Sequence, residues 1–242
     1  MKKWTLKKYQ ARDPSLRPAR PSPKRIRPPR DSRASREIKI GDKGSVSGAI
    51  IANNFKTWFE SQLEYWVLLI LLARWDVLDV WEQPTAVEYV DDDGVVRVHT
   101  FDFLVTLRDG TRIAIAVKPA AKVVESRIQR TVDLIAEQMS PDFAGYAQLI
   151  TDKFFTVDDQ INAQLIHAVK NDFEPEDDAV VAKLIQKLRG ETTIAKLVEA
   201  SGIKGYGFRA VVRSIGAGQL KLIEPCVIDY DSVVARGQRK VK

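Results

Sequence analysis

Asp102 and Lys118 are residue types whose placement supports chemistry. A turn centred on Asp109-Gly110 folds Phe101 to Lys118 into a hairpin and brings Asp102 to the end of the ladder that holds Ala116, Val117 and Lys118. Residues two apart on a strand share a face, so Ala116 and Lys118 are expected beside Asp102, at a strand end where a longer side chain than alanine should fit. An Asp and a Lys converging there, joined by an acidic residue from a preceding helix, make a layout for metal-dependent phosphodiester hydrolysis. Carboxylates give hard oxygens to Mg²⁺, and a lysine orients or helps deprotonate water while countering charge on phosphate. Surface strands also carry such pairs, so the pair alone does not assign the chemistry.

The elements that must hold this hairpin follow from the pattern. From Ile50 to Arg74 apolar residues recur at spacings of three and four (Trp58, Phe59, Leu63, Trp66, Val67, Ile70), which predicts a long buried helix. Alternating stretches at 77–80, 86–90, 95–105 and 112–118, punctuated by Asp93-Gly94 and Asp109-Gly110, predict antiparallel strands. A helix over 123–139 and a strand near 148–150 complete an αβββαβ order, so the expected class is α/β, a mixed sheet flanked by helices. The polar link 171–178 marks a domain boundary. Beyond it, helices at 179–189, 191–200 and 206–215 and a strand at 220–223 outline a small winged-helix-like domain over 179–235. Arg209 and Arg213 lie four apart on the third helix and are candidate DNA contacts. A compact helical domain used for protein docking is the equal alternative.

Charge divides the chain. The net charge is +6, yet fourteen basic and three acidic residues through position 40 give that segment +11 and leave −5 for the rest. Residues 1–40 are rich in proline and arginine and predict an extended, mobile arm, with 41–170 as the catalytic domain. Arg25, Arg27 and Arg30 are candidate phosphate contacts for a polyanionic partner. A protein-binding surface and a solubilising tail remain open for the arm, and residues 236–242 form a second basic tail. Lys122, Arg127 and Arg130 follow the hairpin and face either DNA or solvent. One cysteine cannot form an internal disulfide, and with two histidines a zinc site is nearly excluded. The longest apolar run, 65–73, is too short to span a bilayer, and no apolar region follows the N-terminal charges.

Several segments, taken in order, resemble the TnsA family of transposon-end endonucleases of cut-and-paste and CRISPR-associated transposons. They are Glu60-Ser61-Gln62-Leu63-Glu64, Glu82-Gln83-Pro84, Thr100-Phe101-Asp102-Phe103-Leu104-Val105 and Ile115-Ala116-Val117-Lys118-Pro119. The resemblance runs over residues 50–155. It implies a restriction-endonuclease-like fold and Mg²⁺-dependent cleavage of the 5′ ends of the element, with Mn²⁺ able to substitute. It also implies a DDE transposase of the TnsB kind, an AAA+ ATPase regulator of the TnsC kind and a bacterial cytoplasmic setting, with DNA rather than a membrane or small molecule as partner. By position, the family's catalytic residues fall on Glu64, Asp102 and Lys118, and its metal on Glu64, Asp102 and the backbone carbonyl of Val117. Where the family has Gln or Glu, this chain has Ala116, whose methyl group neither ligates nor hydrogen-bonds. Three explanations stand open: a change made to inactivate the protein, a natural weakening, or a ligand from elsewhere. Glu60 is the first choice for such a ligand and is equally a solvated helix residue. The expected function is an endonuclease subunit weakened or inactivated at position 116, with a non-catalytic adaptor as the alternative.

Overall fold

The computed structural model of the chain describes residues 28–37, 46–170, 172 and 174–237. Arg25, Arg27 and the basic tail beyond residue 237 lie outside the described residues.

The stretch read as one helix from Ile50 divides in two. Strands β1 (Gly48–Ala52) and β2 (Phe55–Phe59) form an antiparallel hairpin, turned by Asn53 and Asn54 at φ 48° and 68°. Asparagine tolerates this left-handed pair, which a tight hairpin turn requires. Helix α1 (Gln62–Ala73) starts after it. The Ser61 Oγ accepts the Glu64 N–H at 3.1 Å, and the Glu64 carboxylate accepts the Glu60 N–H at 2.7 Å and the Ser61 hydroxyl at 2.8 Å. This reciprocal capping box satisfies donors that a helix start leaves unpaired.

The chain continues through β3 (Val77–Glu82), a separate hairpin of β4 (Val87–Val90) and β5 (Val96–His99), then β6 (Phe103–Leu107), β7 (Arg112–Val117), α2 (Ala120–Ser126), α3 (Ile128–Gln138) and β8 (Tyr146–Ile150). The main sheet has the order β3-β6-β7-β8, antiparallel except for the parallel β7/β8 pair. The fold is thus α/β, a mixed sheet flanked by helices, consistent with a restriction-endonuclease-like core. Val67, Leu68 and Leu71 of α1 bury one face against Phe103, Val105 and Ile115, while Val132 and Ile135 of α3 bury the other against Leu104, Ala114 and Ala116. Two expected elements are broken. The strand read over 95–105 is interrupted at residues 100–102, and the helix read over 123–139 is split at Arg127, with φ 53°.

Helix α4 (Val157–Lys170) leads to α5 (Pro175–Lys187), β9 (Glu191–Thr193), α6 (Ile194–Ser201), α7 (Gly205–Gly216), β10 (Leu220–Leu222) and β11 (Val233–Arg236). The three short strands form one antiparallel sheet in the order β10-β11-β9. Residues 171–178 do not separate two cores, because α5 begins at Pro175, and Ile166 and Val169 of α4 lie in the same cluster as Val181, Leu197 and Val211. Among the described residues no helix is long and apolar enough to cross a membrane.

Part of the expected mobile arm is laid down as a strap. Arg30 pairs in parallel with Phe55 through bonds to Asn54 O (2.7 Å) and from the Lys56 N–H (2.9 Å). Arg33 grips both carboxylate oxygens of Asp79 at 2.7 and 3.0 Å, and Trp81 Nε1–H donates to its carbonyl at 2.7 Å. The Ser32 hydroxyl donates at 2.6 Å to Glu82, which is 0% exposed. Ser35 bonds the carbonyls of Gln83 and Pro84 at 2.9 and 2.8 Å. Composition suggested disorder here, but specific polar partners hold residues 28–37.

Candidate active site

Asp102 sits where the chain enters β6, and its backbone is tied on both sides. Its N–H donates to Ile115 O at 3.0 Å, and its carbonyl accepts the Gln83 N–H at 2.8 Å. Its Oδ2 accepts the Val117 N–H at 2.6 Å, so the side chain extends the ladder where the strand pairing stops. Burial first, then the charge of Glu64, push the Asp102 carboxyl up to about 7, against the Val117 hydrogen bond and the charge of Arg36. Glu64 is also raised, mainly by burial, despite its bonds from Glu60 and Ser61. Arg36 holds Glu60 with both prongs at 3.1 and 2.7 Å. The structure therefore brings Glu64 and Asp102 into one electrostatic neighbourhood, with Glu60 and Arg36 at its side.

Lys118 follows β7 directly, and its N–H donates to Ile150 O at 3.0 Å. Its charge acts on His99, whose imidazole is lowered from its usual range by burial and then by this lysine. The His99 ring stands edge-on to Phe101 at 4.9 Å, and its buried Nε2 has no partner. Val117 meets Asp102 through its N–H; the carbonyl expected to bind metal is not the group engaged with Asp102.

Residues 75–140 match the model of the TnsA-like endonuclease N-terminal family. Over this segment the chain is similar to TnsA-like endonucleases. The matched segment contains Asp102, Ala116 and Lys118 and begins after Glu64. A comparison with curated proteins gives no match.

Two expectations need correction. Ala116 is 2% exposed, in a cluster with Phe101, Leu104, Val132 and Ile135, so a longer side chain there must displace core atoms. The open strand end inferred from spacing is closed by α3. The second correction concerns Arg213, since Arg209 keeps a side chain 42% exposed. Arg213 has a side chain only 9% exposed, bonded to Asp178 at 2.8 Å and to Asp172 O at 2.9 Å, and Arg209 pairs with Asp172. Beyond the Arg209 side chain, no residue of α7 from Tyr206 to Gly216 is exposed, because α4, α5 and α6 surround the helix. Arg213 holds α5 to α7 and does not present a cation to DNA.

Lys122 is exposed on α2, a helix with no buried residue, and is available to a polyanion. Arg130 on α3 pairs instead with Asp92 of the β4–β5 turn. Arg30 is exposed, with its guanidinium 4.1 Å from the centre of the Phe55 ring.

The donor set suits a hydrated Mg²⁺ better than a closed protein cage. Among the described residues no three Asp, Glu, His or Cys side chains stand ready as a cation site. Mg²⁺ commonly takes one or two carboxylates and keeps several waters. A half-buried Asp102 whose ionised form is disfavoured beside Glu64 is a site where a divalent cation would relieve repulsion. Sequence reasoning missed Arg36 and the strap, whose partners lie 24 to 50 residues away in the chain.

Proposed function

We propose that this chain is the endonuclease subunit of a Tn7-like transposition complex, hydrolysing phosphodiesters at the 5′ ends of the element with Mg²⁺ held by Glu64 and Asp102. The observation that carries this reading is the coupling of Glu64 with a half-buried Asp102 that Val117 fixes across the hairpin, Asp102 lying within the segment similar to TnsA-like endonucleases. Bound Mg²⁺ supplies Lewis acidity and an activated water. Asp102 and Glu64 fix the position where that charge is needed, and Lys118 brings a cation to the same sheet end for the phosphate. Lys122 and the basic residues before Pro28 add backbone contacts with DNA, which make affinity salt-dependent. A DDE transposase and an AAA+ ATPase are the protein partners of this reading.

One observation favours a second reading, an adaptor without cleavage. Ala116 presents only a buried methyl group where the resemblance places Gln or Glu. The C-terminal order of helix, strand, two helices and two strands supports a winged-helix-like domain. The enclosed α7 favours protein docking over entry into a DNA groove.

The test is 5′-strand cleavage of labelled end DNA with transposase and Mg²⁺. Weak metal-dependent cleavage by the chain, lost in Asp102→Asn and Lys118→Ala, is expected. Complete complexes that show no 5′ cleavage would select the adaptor.

A further inference from the structure

Two chains of hydrogen bonds run from the strap, one to the backbone carbonyl of Asp102 and one to the carboxylate of Glu64. The first leads from the Ser35 N–H to Gln83 O (2.9 Å) and from the Gln83 N–H to Asp102 O (2.8 Å). The second leads from the Arg36 fork to Glu60, and from the Glu60 N–H to Glu64 Oε2 (2.7 Å). Gln83, the shared joint of the first chain, is 3% exposed, has a left-handed φ of 41°, and leaves its buried Oε1 without a partner. Non-glycine residues in this conformation cost free energy and persist only where surrounding contacts impose them. The contacts on the outer side of Gln83 come from the strap.

Arg36 stands one hydrogen-bonded residue from Glu64, through Glu60, and from there its guanidinium is a lesser influence that favours the ionised forms of Glu64 and Asp102. Its side chain is 39% exposed, against 18% for Glu60, so it approaches the carboxylates from the solvent side. We infer that Arg36 is a tethered counter-ion of the Glu64–Asp102 pair, that a divalent ion must displace it, and that seating of the strap therefore sets the affinity of the site for metal. This rests on the reading of Glu64 and Asp102 as the metal-holding pair. A fixed monovalent charge and a divalent ion serve the same electrostatic need, and two cations at one carboxylate pair repel each other. When metal enters, the Arg36 fork leaves Glu60, and the strap's hold at Ser35 and Gln83 weakens with it.

Mn²⁺ binding to the full chain, measured by electron paramagnetic resonance at fixed salt, tests this in the wild type, Arg36→Gln and Asp102→Asn. Hydrogen exchange at the Ser35 amide of the wild type, with and without Mn²⁺, gives a readout that needs no variant. Arg36→Gln should bind Mn²⁺ at least fivefold more tightly, Asp102→Asn should lose binding, and Mn²⁺ should speed Ser35 exchange at least threefold. Unchanged or weaker binding by Arg36→Gln, or Ser35 exchange that is unchanged or slowed, overturns the counter-ion role while leaving the metal pair intact. Wild-type Mn²⁺ affinity in Asp102→Asn overturns the metal pair itself.

Discussion

Replacing Asp102 with Asn should stabilise the metal-free protein, and the gain should grow with pH. Asp102 is raised from 3.8 to about 7 in the folded chain by burial and by Glu64. For an acid raised in this way, the folded state keeps its proton through a range where the unfolded chain has lost it. The associated stability is fully present below about pH 4, falls as pH rises to about 7, and is flat above. At about 1.4 kcal/mol per pKa unit, the ionised carboxylate costs the folded state about 4 kcal/mol above pH 7, roughly half of which develops between pH 5 and pH 7. Asparagine carries no charge, and its Oδ1 can still accept the Val117 N–H, so the hydrogen bond that fixes this position survives. Chemical denaturation in EDTA at pH 5 and pH 8 measures the difference. The advantage of Asp102→Asn over wild type should be about 2–3 kcal/mol larger at pH 8 than at pH 5. Mg²⁺ should raise the stability of the wild type and not of the variant, since only the carboxylate gains from the cation. An advantage of equal size at both pH values, or a variant less stable than wild type at pH 8, would refute the claim that a half-buried, charge-coupled Asp102 strains the fold.

Ala116→Gln should lower stability by about 1–3 kcal/mol in thermal melts, because added atoms must fit among Phe101, Leu104, Val132 and Ile135; an unchanged melting temperature would show that the site is more open than its burial indicates. Arg213→Ala should cost about 2 kcal/mol by breaking bonds to Asp178 and Asp172, with DNA affinity unaffected, and a loss of DNA binding without loss of stability would reverse the assignment. Deleting residues 1–27, which carry ten basic residues and one acidic residue, should weaken DNA binding and flatten its salt dependence without changing the melting temperature. Deletion through Glu37 should in addition destabilise the fold, because it removes the strap partners of Asp79 and Glu82; equal melting temperatures for the two deletions would mean that the strap adds no stability.

Local chemistry was legible in the sequence wherever partners lie close along the chain. Asp109-Gly110 marked the turn that sets Asp102 against β7, and the Ser61-to-Glu64 spacing is a capping box. The Asn53-Asn54 turn was equally readable, but the aromatic residues of β2 happen to continue the three-and-four spacing of α1, and the helical period concealed the hairpin. Contacts of long sequence separation were hidden. Proline and arginine in residues 28–37 suggest a chain that cannot order itself, and only Asp79, Glu82 and Glu60, brought together by folding, supply the missing partners. The spacing of Arg209 and Arg213 suggests a shared exposed face, but Asp178 of α5 encloses Arg213, and the domain bound at 170 separates residues 157–170 from the C-terminal core that Ile166 and Val169 join.

Asp102 keeps a strained ionisation because its neighbours hold its backbone and one carboxylate oxygen in place. A carboxylate that could rotate toward water would do so and titrate near its usual value. Here the N–H and carbonyl of Asp102 are bound to Ile115 and Gln83, and one carboxylate oxygen is bound to Val117. Glu64 is held just as firmly, since both its oxygens cap the start of α1. Two acidic groups are thus fixed by bonds that belong to a sheet and to a helix start, and neither element can relax without breaking its own pairing. Repulsion that the fold cannot dissipate is available to any cation that enters, which is the sense in which stability given up at such a site favours binding. The geometry that disfavours the metal-free state and the geometry that would hold a divalent ion are therefore the same set of hydrogen bonds.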